Sequence, residues 1–425
     1  MKLLSLLLGF FVIFNFPVPF LYNSAIVAVL ISIFIYSFNW GNNKSFKKLR
    51  IILSSKYFWS IFVLYIILLL YSFTTTILHQ TYDYSIIKAN VLTLLIVLIS
   101  FFIYPIIETY FIKNKNNLDS VVAYLLYLFL VQSIIQIAAF IFPSFADLVH
   151  FFQKVNVAEK DYGGIRALGL TGNPFFDLAA GYGFILILYF YSFMLKNVNI
   201  FLSSGLFLGL FIGSFFAGRT AFVGLGIGVI YYLFFTGNFL IRLFSLSKFF
   251  VVGLGIIFVL YMFLPVNVKE MVENNLLPFA FEFVYNYMDN KELTTKSTDV
   301  LDNMYFPISN MTFIFGDGKY VNSDGSYYMH TDAGYMRNTL YYGFLGVLFM
   351  VLGQIYLLKK PFLIIKKSLR AGLGYNLQHA FLFVSLFFYM VVLHYKGEVL
   401  LFMPLLQSLM VFLALAVIFP KQQFI

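Results

Sequence analysis

The 425-residue chain has no cysteine, which excludes disulfides and thiolate chemistry outright. It is also short of charge: 11% of its residues are Asp, Glu, Lys or Arg and 61% are hydrophobic, where soluble domains carry roughly a quarter charged. That balance excludes a soluble globular fold and predicts an all-α polytopic membrane protein. Internal repeats and low-complexity runs are lacking. There is no HExxH, no CxxC, no phosphate-loop glycine signature with its lysine, and no GxSxG elbow. The sequence therefore predicts neither a metal nor a cofactor.

What is present is a succession of apolar runs near the roughly 20 residues that cross a hydrocarbon core of about 30 Å. They predict about twelve transmembrane helices, at 3–18, 22–39, 57–77, 86–107, 120–142, 177–195, 200–216, 219–236, 249–265, 338–357, 375–393 and 398–418. FPVPF separates the first two poorly, so one span there is the alternative. MKLLSLLLGFFVIF is read as a retained first helix, because FNFPVPFLYN offers no small-residue cleavage site. Alternate connections are short and basic: 41–56, 108–119, 196–199, 237–248, 358–374 and the tail. Basic loops mark the cytoplasmic side, which puts both termini in the cytoplasm. The net charge of +10 then calls for no nucleic-acid partner, since the densest basic clusters face anionic lipid.

Polar sequence is concentrated in two external segments, 143–176 and 266–336, set within a single transmembrane domain spanning 1–425. Irregular backbone and unpaired charge cannot sit in bare hydrocarbon, so function that needs polar groups is expected on this face. Within the longer loop, LLPFAFEFVYNYM (276–288) reads either as a helix on the membrane surface or as part of a small external cap. TTKSTD and the stretch 316–326 read as turns. Gly224, Gly226 and Gly228 form a small-residue stripe for helix packing.

Only six arginines occur, and Arg50, Arg242 and Arg370 fall on the basic side. Arg166, Arg219 and Arg337 lie at the outer boundary among glycines and turn formers. Each alone is open to snorkelling towards headgroups. Together they suit phosphate oxygens, which a guanidinium meets two at a time. His330 and Asp332 stand just before Arg337 in YYMHTDAGYMRNTLYYGFLGVLF. On a helix His330 would share a face with Arg337 and not with Asp332. His330 is either a proton acceptor, oriented by the carboxylate, or a satisfied loop histidine; Asp332 is either its partner or a helix cap. These groups suit a reaction in which arginines hold a lipid-linked diphosphate and stabilise its departure while a base deprotonates the attacking hydroxyl.

RALGLTGNPFFDLAAGYG, SFFAGRTAFVGLGIG and HTDAGYMRNTLYYGFLG resemble the bacterial O-antigen polymerase and O-antigen ligase superfamily of integral membrane glycosyltransferases. The resemblance implies about twelve spans, two important external loops, and donor and acceptor glycans carried on undecaprenyl diphosphate. It implies metal-independent, inverting transfer on the periplasmic face, with Arg166 and Arg219 on the diphosphate and His330 as base. Arg337 is a less typical match, and Asp332 is proposed from the residues alone. FAGRT stands where SGSRT-like elements are usual. A polymerase of O-antigen or capsular type is expected, with membrane lipids and a chain-length regulator protein as further partners. A ligase acting on lipid A core is the alternative within the family. A flippase or transporter is the alternative outside it, and predicts two related halves with charge near the midplane.

Overall fold

A computed structural model describes residues 1–38, 43–112, 117–153, 167–195, 200–235, 237–291, 295–371 and 375–420. Twelve apolar helices form the body: α1 Lys2–Phe14, α2 Ser24–Ser37, α3 Lys56–Leu78, α4 Ser85–Tyr110, α5 Asn117–Ile141, α6 Phe176–Leu195, α7 Ile200–Ala217, α8 Ala221–Phe234, α9 Phe239–Met262, α10 Phe344–Arg370, α11 Leu377–His394 and α12 Pro404–Ile418. Eight are long and apolar enough to cross a membrane, and α1, α2, α8 and α12 are shorter apolar helices. The chain is thus an all-α protein with the character of a multi-pass membrane protein.

Burial ranks the helices. Every residue of α12 is buried, the mark of a helix apolar all round and enclosed by its neighbours. Only Leu246, Phe249 and Gly253 are buried in α9, which lies at the rim. Helices α6 and α8 pack closely: a Cβ on Gly224 would lie 2.1 Å from the Gly183 carbonyl oxygen. Gly228 seats against Phe190 in the same way, whereas Gly226 faces open space, so the predicted glycine stripe packs through two of its three members.

Several boundaries depart from the sequence reading, each for a local reason. FPVPF does separate two helices: Pro17–Val18 pairs antiparallel with Tyr22–Asn23, and the Asn23 side chain then accepts from Ile26 N–H to start α2. The helix expected at 338–357 is two helices, Gly334–Tyr342 and α10, broken at Gly343 with φ +73°. A side chain at Gly343 would meet the Ile314 carbonyl at 2.2 Å, so the break docks the large loop onto the bundle. The basic stretch 358–374 is mostly helix, since α10 runs through Pro361 to Arg370. The last helix starts at Pro404 rather than 398, with proline in the first turn where its missing N–H has no cost. TTKSTD is not simply a turn: the Thr295 hydroxyl accepts from Thr298 N–H at 3.2 Å and caps the helix Lys296–Asn303. Segment 276–288 is helical in two pieces, Leu277–Ala280 and Glu282–Asn290.

The connections gather at two ends. At one, Gly172 N–H donates to the Phe14 carbonyl (2.8 Å). There too the Thr81 hydroxyl donates to the Gly318 carbonyl (2.6 Å) and the Tyr305 hydroxyl to the Tyr395 carbonyl (2.6 Å). Both long loops therefore share an end with the 395–403 turn. At the other end Lys48 pairs with Glu108 (3.0 Å) and the Asn117 amide donates to the Phe419 carbonyl (3.2 Å).

Candidate functional site

The break at Gly343 and the close seating of Gly334 fix one short helix against the 395–403 turn. A Cβ on Gly334 would lie 2.4 Å from the carbonyls of both Gly397 and His394, so only glycine lets the helix start there. One turn on, Arg337 points into the junction. Its Nη1 lies 3.0 Å from Glu398 Oε2, with side-chain exposures of 8% and 2%. The guanidinium is sandwiched between the rings of Tyr320 (3.8 Å) and Tyr327 (4.0 Å). Such cation–ring contacts are worth from about 0.5–1 kcal/mol when exposed to about 2 kcal/mol or more when desolvated. The Tyr320 hydroxyl donates to the same Glu398 oxygen. Burial, followed by the adjacent Glu398 charge, holds that phenol well above its usual range.

Tyr320 and Tyr327 flank a hairpin closed by the Val321–Tyr327 bridge and the 2.8 Å bond from Asn322 N–H to the Ser326 carbonyl. Its base is held by Asp83, in the turn between α3 and α4, whose carboxylate accepts from Tyr320 N–H (2.7 Å) and Val321 N–H (2.8 Å). Burial alone would raise this acid; donation from the backbone of Val321, Ser85 and Tyr320 outweighs it and holds the carboxyl below its ordinary value. Tyr320 is buried and Tyr327 is exposed, so Tyr327 is the outer wall of the sandwich.

Three polar atoms here are buried without a hydrogen-bond partner: Arg337 Nε, Arg337 Nη2 and Glu398 Oε1. Nε and Nη2 are the side-on fork of the guanidinium, the edge that takes two oxygens of a carboxylate or phosphate. Leaving such donors unmet costs about 1–3 kcal/mol each, and buried groups of this kind mark a place for an oxygen-bearing ligand or water. A second tie runs beside the ion pair. His394 Nδ1 accepts from Val399 N–H (3.0 Å) and Leu400 N–H (3.2 Å), and its Nε2 lies 2.9 Å from the Asn338 amide. Because Nδ1 accepts, Nε2 carries the proton and donates, which requires Asn338 to turn Oδ1 towards the ring; the same turn satisfies that oxygen, otherwise unpartnered. Neighbours of Arg337 and Glu398 are thus tied to each other.

Asp332 is exposed at the edge of this cluster. Desolvation of its carboxyl by the neighbouring cluster raises it above the ordinary value although the residue as a whole is exposed, while attraction to Arg337 and Lys396 pulls the other way. It does not cap the helix: the helix Gly334–Tyr342 has no side-chain cap, and Thr331 Oγ1 accepts from Ala333 N–H at 3.3 Å instead. His330 is exposed in the turn Tyr328–His330, with φ +55°. Since the helix begins only at Gly334, the seven-residue spacing does not place His330 on the face of Arg337. Nor does His330 pair with Asp332 within 4.0 Å.

Arg219 follows Gly218, whose φ of +146° makes the tight turn between α7 and α8. It forms an ion pair with Glu282 of the large loop, with side-chain exposures of 20% and 19%. Arg166 lies outside the described residues. A cavity of about 130 Å³ is lined by Phe140, His150, Gln153, Gly169 and Met271 among others. That is well below the roughly 300–1,000 Å³ of ligand pockets. Among the described residues no group of three His, Asp or Glu side chains is placed to hold a metal ion. Glu398 and His394 escaped the sequence reading, the first as part of an apparent span and the second as a lone histidine just past the end of another. No family model, curated protein or solved structure matches this chain.

Proposed function

We propose that the chain is a membrane glycosyltransferase that polymerises oligosaccharide repeat units carried on undecaprenyl diphosphate, at the periplasmic face of a bacterial inner membrane. The observation that carries this reading is the unpartnered side-on fork of Arg337, buried at the junction of the large loop and the bundle. A buried guanidinium fork between two aromatic faces suits two oxygens of a phosphate group, and its charge stabilises the departing diphosphate. Asp332, exposed at the edge of the cluster within the electrostatic reach of Arg337 and with a raised carboxyl, is one candidate base for the acceptor hydroxyl; His330 is the other. The hydroxyl oxygen forms the new bond to the anomeric carbon, the bond to the diphosphate breaks with its electron pair, and the proton passes to the base. Arg219 and Arg166 would meet the donor from the bundle and the shorter loop.

In this reading all twelve apolar helices span the bilayer, with both termini on the cytoplasmic side. The end joining both long loops and the 395–403 turn faces outward, opposite the basic connections. The test is reconstitution of the purified protein with lipid-diphosphate repeat units, alone or with lipid A core. Elongation on repeat units alone supports a polymerase, transfer that requires the core identifies a ligase, and no transfer in either arm refutes the reading.

A further inference from the structure

Both outer-end arginines that the structure describes meet a carboxylate from a distant segment: Arg219 meets Glu282, and Arg337 meets Glu398. A site built only to hold an anion tightly would keep such charge away. At Arg337 the arrangement is specific. Glu398 takes Nη1, and the Nε and Nη2 edge stays unpartnered. Tyr320 holds the carboxylate from one side, and the turn carrying it is pinned by His394 through the N–H groups of Val399 and Leu400. The carboxylate is therefore held through Oε2 by both Tyr320 and Arg337, on a turn that His394 pins.

We propose that Glu398 is a positioning residue and a built-in counter-anion of the Arg337 site: it presents the fork and limits how tightly that fork holds a phosphate-class anion. The inference rests on the reading of Arg337 as the diphosphate grip. A polymerase must release a lipid diphosphate after every transfer, and an arginine buried without a competing charge would retain it. An anion on the fork and a carboxylate on Nη1 of one guanidinium lie about 5–6 Å apart, where like charges at the effective dielectric of a protein weaken binding by tenfold or more. The sign of this effect separates the role from a merely structural one. Loss of a structural support weakens binding, whereas loss of a counter-anion strengthens it.

The experiment uses the full-length protein in phosphatidylcholine nanodiscs, with inorganic pyrophosphate as probe and thermal stabilisation as readout. The half-saturating pyrophosphate concentration should fall about tenfold or more in E398Q. It should fall by a few-fold in E398D, which keeps the charge but draws it back by one methylene. With lipid-linked donor, E398Q should show a lower KM and a lower kcat, as release becomes limiting. A folded E398Q, or E398D where E398Q does not fold, that binds pyrophosphate no tighter than the parent overturns the inference. Pyrophosphate stabilisation that persists unchanged in R337Q instead overturns the reading of Arg337 itself. Nanodiscs containing phosphatidylglycerol supply the other phosphate source; stabilisation by that lipid with none by pyrophosphate assigns the fork to a bilayer headgroup and refutes the proposal.

Discussion

Replacing Arg337 by Met keeps a side chain that fills the space between Tyr320 and Tyr327 but leaves Glu398 without its cation. The carboxylate is 2% exposed, so water cannot take over. Removing one partner of a buried pair costs about 3–5 kcal/mol. R337M/E398L removes both charges and leaves only the Tyr320 hydroxyl without an acceptor, a remaining cost of about 1–3 kcal/mol. Adding Y320F deletes that hydroxyl too, and the triple variant should approach parental stability. Thermal unfolding of the detergent-solubilised proteins should therefore rank R337M lowest, then R337M/E398L, then the triple variant near the parent. All three lack the fork and should fail to elongate lipid-linked repeats. R337M melting with the parent would refute the buried-pair argument, and polymer made by the triple variant would refute the role of the fork.

Other outcomes follow from single positions. D332N should lower kcat by about 10²–10⁴-fold with donor KM retained, and the acid limb of the parental rate profile should lie above the ordinary carboxylate value near pH 4, because the base must be deprotonated and its carboxyl is raised. Asp83 is depressed in the folded state, so its stabilisation is present above its unfolded value near pH 4 and is lost as pH falls through the folded one. Melting curves of D83N should be flatter across that acid window and lower at neutral pH. G224V drives a side chain into the Gly183 backbone; overpacking of this kind costs about 1–3 kcal/mol or more, read as a lower melting temperature, while the same change at Gly226, which meets nothing within 4 Å, should be nearly neutral.

Much of the architecture was legible in the sequence because apolar length is a direct physical requirement of a bilayer, and charge-poor runs leave few alternatives. The errors fall where a local device overrides hydropathy. Gly343 breaks an apolar run because its positive φ and its contact with Ile314 serve tertiary docking, and nothing in hydropathy reports that. Thr295 caps a helix inside a stretch whose composition reads as turn. At the site, Arg166, Arg219 and Arg337 stood out by scarcity and setting, and Arg337, the least typical by resemblance, is the one at the centre of the buried cluster. Glu398 was hidden because KGEVLLF continues into an apolar run, and its pairing with Arg337 joins residues 61 positions apart in the chain. The sole available signal was an acidic residue at the edge of a span, where a charge is costly without a partner.

The central claim is that the buried Arg337 fork handles a lipid-linked diphosphate during glycan elongation. The most direct measurement is a gel ladder from proteoliposomes holding the purified protein and lipid-diphosphate repeat units, with no nucleotide sugar, in the presence of a metal chelator, for the parent and R337Q. The account predicts a ladder from the parent and none from a folded R337Q. A parent that makes no ladder, or an R337Q that makes the parental one, would contradict it.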